Sequence, residues 1–344
     1  MIAIALVTAG CQRPLKPIFE ETHPQIVWPS DGQPARIRYV GQISTSADLR
    51  PAPKPFEGLG GLLLGSKEPD RLNGPRSAVR SRDGRYVWVA DPGWRCVHLF
   101  DLQRRQHRRI THVGDAALLT PVDVCVGPGS AVYVCDSEEG AVYRVSPENG
   151  GSDSALALPD DVQRPVSVFW DDAVGELYVV DVLAHDVKVL TADGRPVRTL
   201  GRRGGGAGEF NFPCDLVVAG EDVWVVDAGN HRVQRLSRLA APQAAFGQAG
   251  DAFGDLALPK AIALDRDGHV YVVDARFENV QIFDRQGRLL LTFGEEGTGP
   301  GQFWLPGGIF IDDTDRIWIC DSYNQRLQVF DYVPDASQPP QTEP

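Results

Sequence analysis

Val270-Tyr271-Val272-Val273-Asp274 is followed, six and nine residues after its aspartate, by Val280 and Phe283. The same phrase recurs five more times along the 344 residues. It runs Val87-Trp88-Val89-Ala90-Asp91, Val132-Tyr133-Val134-Cys135-Asp136, Leu177-Tyr178-Val179-Val180-Asp181, Val223-Trp224-Val225-Val226-Asp227 and Ile317-Trp318-Ile319-Cys320-Asp321. The apolar partners keep their places each time: Val97 and Phe100, Val142 and Val145, Val187 and Leu190, Val233 and Leu236, Leu327 and Phe330. Successive aspartates lie 45, 45, 46, 47 and 47 residues apart. A proline stands 14 to 16 residues before each one and opens another apolar run: Pro75, Pro121, Pro165, Pro213, Pro259 and Pro306. Registered copies at this period mark an architecture in which each unit buries its faces only by stacking on its neighbours.

One repeat holds four short strands. In the fifth, strand a spans 261–264, b ends at Asp274, c spans 280–283 and d spans 289–293. Turn pairs such as Asp267-Gly268 and Gln286-Gly287 separate them. The fold class expected is all-β: a six-bladed β-propeller of four-stranded antiparallel blades. After Phe330 the sixth repeat has no strand d, whereas Arg36-Ile37-Arg38-Tyr39-Val40-Gly41 matches Leu290-Leu291-Thr292-Phe293-Gly294. An N-terminal strand completing the last blade closes the ring and protects the sheet edges. The domain plan is an apolar segment 1–11, a Pro-rich stretch 12–34, a propeller 35–333 with an insertion 42–74, and a Pro/Gln-rich tail 334–344.

The later copies, such as Gly301-Gln302-Phe303 with Pro306-Gly307-Gly308-Ile309 and Asp321-Ser322-Tyr323-Asn324-Gln325-Arg326-Leu327-Gln328, resemble NHL repeats. Asn230-His231-Arg232-Val233-Gln234 is another clear copy. The resemblance covers residues 73–333 and implies the propeller. It leaves function open, because NHL propellers include enzymes, RNA binders, receptor domains and adhesion modules. The N-terminal segment from Trp28-Pro29 to Ile37–Gly41 resembles exported bacterial NHL proteins.

Composition narrows the function classes. A formal charge of −12 opposes general binding to a phosphate backbone, which needs a surplus of Lys and Arg. No nucleic-acid partner is expected. The six cysteines form no C-x-x-C pair, and Cys125, Cys135, Cys214 and Cys320 adjoin apolar strands, where they are expected as buried free thiols. Val7-Thr8-Ala9-Gly10-Cys11 resembles a bacterial lipobox, with Cys11 as the site of lipid attachment, and Pro14, Pro17, Pro24, Pro29 and Pro34 follow as a tether. The expected location is extracytoplasmic, in a bacterial periplasm or cell envelope, with a lipid anchor.

Strand parity places the d–a linkers and the b–c loops on one face. The binding residues expected there are Trp94, His185, His231, Phe277, Tyr323 and Trp304. The same face receives the insertion, whose Phe56–Leu64 stretch is apolar and Gly-rich. The partner expected is a protein, peptide or glycan. The repeat aspartates are read as structural acceptors of backbone N–H groups, because a short acid in every blade answers a need of every blade. No cofactor is expected. The alternative is a metal-dependent hydrolase or lyase acting in the central channel. Asp181-Val182-Leu183-Ala184-His185-Asp186-Val187 resembles a metal-ligand segment of the peptidylglycine amidating lyases, NHL propellers that hold zinc with three histidines. Their other ligands follow the strand-a proline, and those positions here are Arg76, Val122, Val166, Cys214, Lys260 and Gly307. One His does not make a zinc site, so no metal is expected. Asp123 and Asp215, one residue further in, are the remaining candidates for a central cation.

Overall fold

In the computed structural model, residues 16–19, 22–50, 68–147 and 154–334 are described. Strand b of every blade is an unbroken apolar run because it is covered on both faces by neighbouring blades. The five residues Val270–Asp274 are all buried, as are Val132–Asp136. The aromatic three places before each aspartate is fully or almost fully buried: Trp88, Tyr133, Tyr178, Trp224, Tyr271 and Trp318. One large ring per blade at one register fills the space that widens away from the axis.

The blades follow as four-stranded antiparallel sheets in chain order. Blade one comprises Ser77–Arg80, Tyr86–Asp91, Cys96–Asp101 and Gln106–Ile110. Blade two comprises Pro121–Val126, Val132–Asp136, Ala141–Val145 and Ser154–Ala155. Blade three runs Pro165–Asp171, Glu176–Asp181, Asp186–Thr191 and Pro196–Leu200, and blade four Pro213–Ala219, Asp222–Asp227, Arg232–Ser237 and Pro242–Phe246. Blade five runs Pro259–Leu264, Val270–Asp274, Asn279–Phe283 and Leu289–Phe293. The prolines fall where no ladder bond is lost, at the first residue of an inner strand or of the outer strand d.

Blade six takes a, b and c from Gly308–Ile311, Arg316–Asp321 and Arg326–Tyr332, and d from Ile37–Ile43. That strand is antiparallel to Arg326–Tyr332 from Ile37 opposite Tyr332 to Ile43 opposite Leu327, with a bulge at Val40. Val27–Trp28 adds a fifth strand outside it. Trp28 packs on Phe293 and Phe330, with ring centroids 5.8 Å away in both cases. The ring is thus closed by the N-terminal strand, as the missing sixth strand d requires. Six apolar clusters lie one to each blade–blade interface. The closing interface joins Ile43, Trp318 and Leu327 of blade six to Val87, Val89 and Phe100 of blade one.

Where strand a begins, the ladder carries one extra residue. In blades two to five the proline pairs with the repeat aspartate and the second residue after it pairs with the position before that aspartate, leaving Val122, Val166, Cys214 and Lys260 as bulges. A bulge bends the strand and re-aims the side chain it carries. These bulges ring the mouth of the channel.

Candidate functional site: the loop face and channel mouth

The repeat aspartates do more than cap the loop after them. Each also grips the linker before strand a of its own blade. Asp274 accepts from Ala257 N (2.7 Å) and Leu258 N (3.1 Å) in the linker, and from Arg276 N (2.9 Å) and Phe277 N (3.2 Å) in the b–c loop. Asp181 does the same with Gln163, Arg164, Leu183 and Ala184. Asp321 binds Trp304 N (2.8 Å) and is itself held by Arg326 (2.6 Å) and Gln328 (3.0 Å). All six are fully buried, so the ring of carboxylates is structural and sews the loop face together.

A second stitch follows four residues after each aspartate. Arg95, Gly140, His185, His231, Glu278 and Gln325 all have φ between +50° and +67°. In blades three to six the side chain at this left-handed turn reaches the next blade. His185 Nδ1 accepts from Phe212 N at 3.0 Å, and Glu278 Oε2 accepts from Leu305 N at 2.6 Å. His231 Nδ1 lies 3.1 Å from the carbonyls of Leu256 and Ala257, and Gln325 donates to Asn73 Oδ1 at 3.2 Å. His185 is buried and His231 half-buried, so the two histidines expected among the outward binding residues are blade-to-blade ties. No cluster of three or more metal-ligating side chains occurs among the described residues. The described residues therefore do not favour the hydrolase or lyase alternative.

The aromatic candidates fall on the expected face and separate by environment. Trp304 and Tyr323 are 48% and 61% exposed, with ring centroids 5.7 Å apart, and form one lip beside the channel mouth. Trp94 is also exposed, but its indole N–H donates to Arg71 O at 2.9 Å and Arg109 stacks over it. Phe277 is half-buried against its own loop. The flanks of the insertion are anchored: the 3₁₀ turn Ser46–Leu49 buries Leu49, and Leu72 N donates to Ser44 O. Phe56–Leu64 and Cys11 lie outside the described residues. Among the described residues the linkers add Phe212 and Leu258, both exposed and both immediately before a strand-a proline. The sequence offered a signal for them, since the same slot is Leu305 in blade six.

Inside the ring a cavity of about 390 Å³ runs along the strands a. Its first turn is half polar. Ser77, Asp123, Ser167 and Asp215 occupy one register in blades one to four, and Ala261 and Gly308 complete it. Asp123 accepts from Val124 N and Val168 N, 2.8 and 2.7 Å away. Asp215 accepts from Ser167 Oγ (2.7 Å) and Ile262 N (2.8 Å). Each carboxylate thereby ties its blade to the next. Burial pushes both above the usual carboxylate range, and in Asp215 the charge of Asp123 adds to the rise. Both carboxylates are thus already engaged by backbone and hydroxyl donors of the neighbouring blades. The described cysteines are all free, with Cys96, Cys125, Cys135 and Cys320 buried as expected and Cys214 half-buried, and burial raises every one of these thiols.

One residue nearer the surface, the mouth is asymmetric. Blades two to four present Val122, Val166 and Cys214, whereas blades five and one present Lys260 and Arg76 on either side of Gly307. None of these positions is a histidine, and two of them are cations.

Known proteins bear on the fold. An NHL-repeat profile matches residues 210–236, and a profile described as a 6-bladed beta-propeller matches residues 261–334. NHL repeat-containing protein 2 of Bos taurus is 27% identical over 139 residues, 32% of this chain and 19% of that protein. The chain thus aligns with about a fifth of the length of that relative. An auxiliary nutrient binding protein from Bacteroides ovatus superposes with a TM-score of 0.60 at 12% identity, covering 76% of this chain and 70% of that one. Virginiamycin B lyase from Staphylococcus aureus gives 0.56 at 12% identity, covering 76% and 96%. Likeness at these identities speaks for the fold alone. With the repeat register, the closed ring and the two profile matches agreeing, the chain is a six-bladed β-propeller that carries NHL-type repeats.

Proposed function

We propose that this propeller is an extracytoplasmic binding module that presents its d–a and b–c loop face to a protein, peptide or glycan. One observation carries the reading. On a face where the acids, histidines and amides are engaged in stitching the loops, the Trp304–Tyr323 pair stays exposed beside the channel mouth. Large aromatics flanked by polar groups are what anchors at binding surfaces are made of. The named function of the Bacteroides ovatus neighbour, nutrient binding, is in keeping with the same use of the fold. Screening the purified protein on glycan and peptide arrays tests it. Trp304→Ala and Tyr323→Ala are each expected to weaken a true ligand by about 1–2 kcal/mol while leaving the melting temperature almost unchanged. Binding that survives both substitutions removes this lip from the interface.

The location is proposed on Val7–Cys11 and the proline-rich stretch that follows. Expressed in a bacterium that processes lipoproteins, the protein is expected to take up labelled fatty acid and to sediment with membranes. Cys11→Ser is expected to abolish both. Equal membrane partitioning of the two forms overturns the anchor.

A further inference from the structure

Many cations of this acidic chain have a carboxylate partner. Arg80 pairs with Asp312 at 2.9 Å, Arg85 with Asp101 at 2.8 Å, Arg198 with Glu176 at 2.6 Å and Arg326 with Asp321 at 2.6 Å. Among the described residues, Arg76 and Lys260 are two without one that line a single hollow. Nη1 of Arg76 donates to Gly307 O at 3.2 Å, and among the described residues its guanidinium has no acid to pair with. The Lys260 ammonium forms neither a hydrogen bond nor an ion pair among the described residues. Both side chains line one hollow, and burial and the charge of Arg76 lower the affinity of Lys260 for its proton.

The hollow lies at the mouth, between blades five, six and one. It holds about 580 Å³, and among the described residues no aspartate or glutamate is in its wall. Gly307 leaves the gap between the cations open. A Cβ there would meet Ser322 Oγ at 2.6 Å and the Arg76 guanidinium at 3.3 Å. The bulge at Lys260 is what turns that side chain towards the gap. The outer wall is apolar, with Leu258, Leu305 and the exposed ring of Tyr323. The nearby acids are already engaged. Asp274 and Asp321 are buried on backbone N–H groups, and Glu278 is spent on Leu305 N. Asp123 and Asp215, which share the channel wall with the two cations, are held by donors of the neighbouring blades. Two like charges left together in a half-buried pocket cost stability unless something outside the chain answers them.

We propose that the channel mouth between blades five, six and one binds a small organic oxyanion, its carboxylate or phosphate held between Arg76 and Lys260 and its ring against Leu258, Leu305 and Tyr323. Arg supplies a planar fork of donors and Lys a point charge, a combination that suits one oxyanion head group. The proposal rests on the loop face being the working face and names the chemistry that face selects. It assigns the positive corner of the mouth to the ligand's charge and the aromatic lip to its body.

Isothermal titration of the full chain tests it with four probes: phenyl phosphate, benzoate, inorganic phosphate and, as the neutral ring, benzyl alcohol. Phenyl phosphate or benzoate is expected to bind more tightly than either the ringless anion or the neutral ring, and less tightly as salt rises. The stronger of the two identifies the head group. Lys260→Gln and Arg76→Gln are each expected to weaken that probe about tenfold, the loss of one charge-assisted contact. Lys260→Gln breaks no internal bond, so an unchanged melting temperature shows that its effect is on the ligand. If neither anion binds, or if both variants bind as the parent does, the proposal is overturned. Array ligands that are neutral and indifferent to both charge variants leave the loop-face reading standing and sink this one. Anion binding lost in the variants, with Trp304→Ala and Tyr323→Ala indifferent to every array ligand, does the reverse.

Discussion

Deleting residues up to and including Ile43 is expected to leave a chain that does not hold the ring. The closing strand buries Ile37, Tyr39 and Ile43, and the residues before it contribute Trp28 to the cluster that holds Ile37 and Tyr39. Loss of a buried Ile or Tyr side chain costs about 2–5 kcal/mol. Three such losses are as large as the whole stability of an ordinary domain, about 5–15 kcal/mol. The truncation also exposes the seven-residue edge of Arg326–Tyr332 and uncovers Phe330, Val329 and Leu327, an open edge that invites pairing with another chain. Circular dichroism melts and size-exclusion chromatography check this. The expected result is aggregation or a melting transition lost altogether. A truncated monomer that melts within a few degrees of the full chain shows that the sixth blade stands without its outer strand.

Most of the fold was legible because the repeat states it six times. An aspartate at the end of strand b, a proline before strand a and apolar positions at fixed offsets give blade number, strand order and parity, and the missing strand d of the last repeat names its substitute at Ile37. The parity argument placed Trp304 and Tyr323 on one face, and they meet there. What the sequence hid was side-chain direction. His185 and His231 read as loop residues on the same face, yet their left-handed backbone turns both towards the next blade. That fate was foreshadowed only by their shared register with Glu278 and Gln325. Asp123 and Asp215 look like a metal pair in one dimension, whereas the curvature of the ring brings each against the backbone of the following blade. Arg76 and Lys260 stand 184 positions apart in the chain by their numbers, and only closure of the ring makes them neighbours across Gly307. Charge complementarity between distant repeats is invisible to a register read one repeat at a time.

Asp274→Ala carries the second large expected loss. This fully buried carboxylate satisfies the backbone N–H groups of Ala257, Leu258, Arg276 and Phe277. A methyl group in its place satisfies none of them, and each buried donor left unmade costs about 1–3 kcal/mol. Because the loop is partly open to water, some of these donors will be rehydrated, so a total on the order of 3–5 kcal/mol is expected in urea denaturation. Asp274→Asn separates hydrogen bonding from bulk. Its remaining carbonyl oxygen keeps the bonds of Oδ1, to Leu258, Arg276 and Phe277, but its amide group faces Ala257 N, donor against donor. About half the loss is therefore expected from the amide variant. The effect should reach the channel mouth as well. Leu258 N is one of the latched groups and Lys260 follows two residues later on the bulge. Releasing the linker removes the constraint that aims the ammonium into the hollow, so affinity for the oxyanion probe is expected to fall along with stability. An Asp274→Ala protein that loses less than about 1 kcal/mol would show that the linker is held by its apolar contacts, and that the repeat aspartate is not what sews this face together.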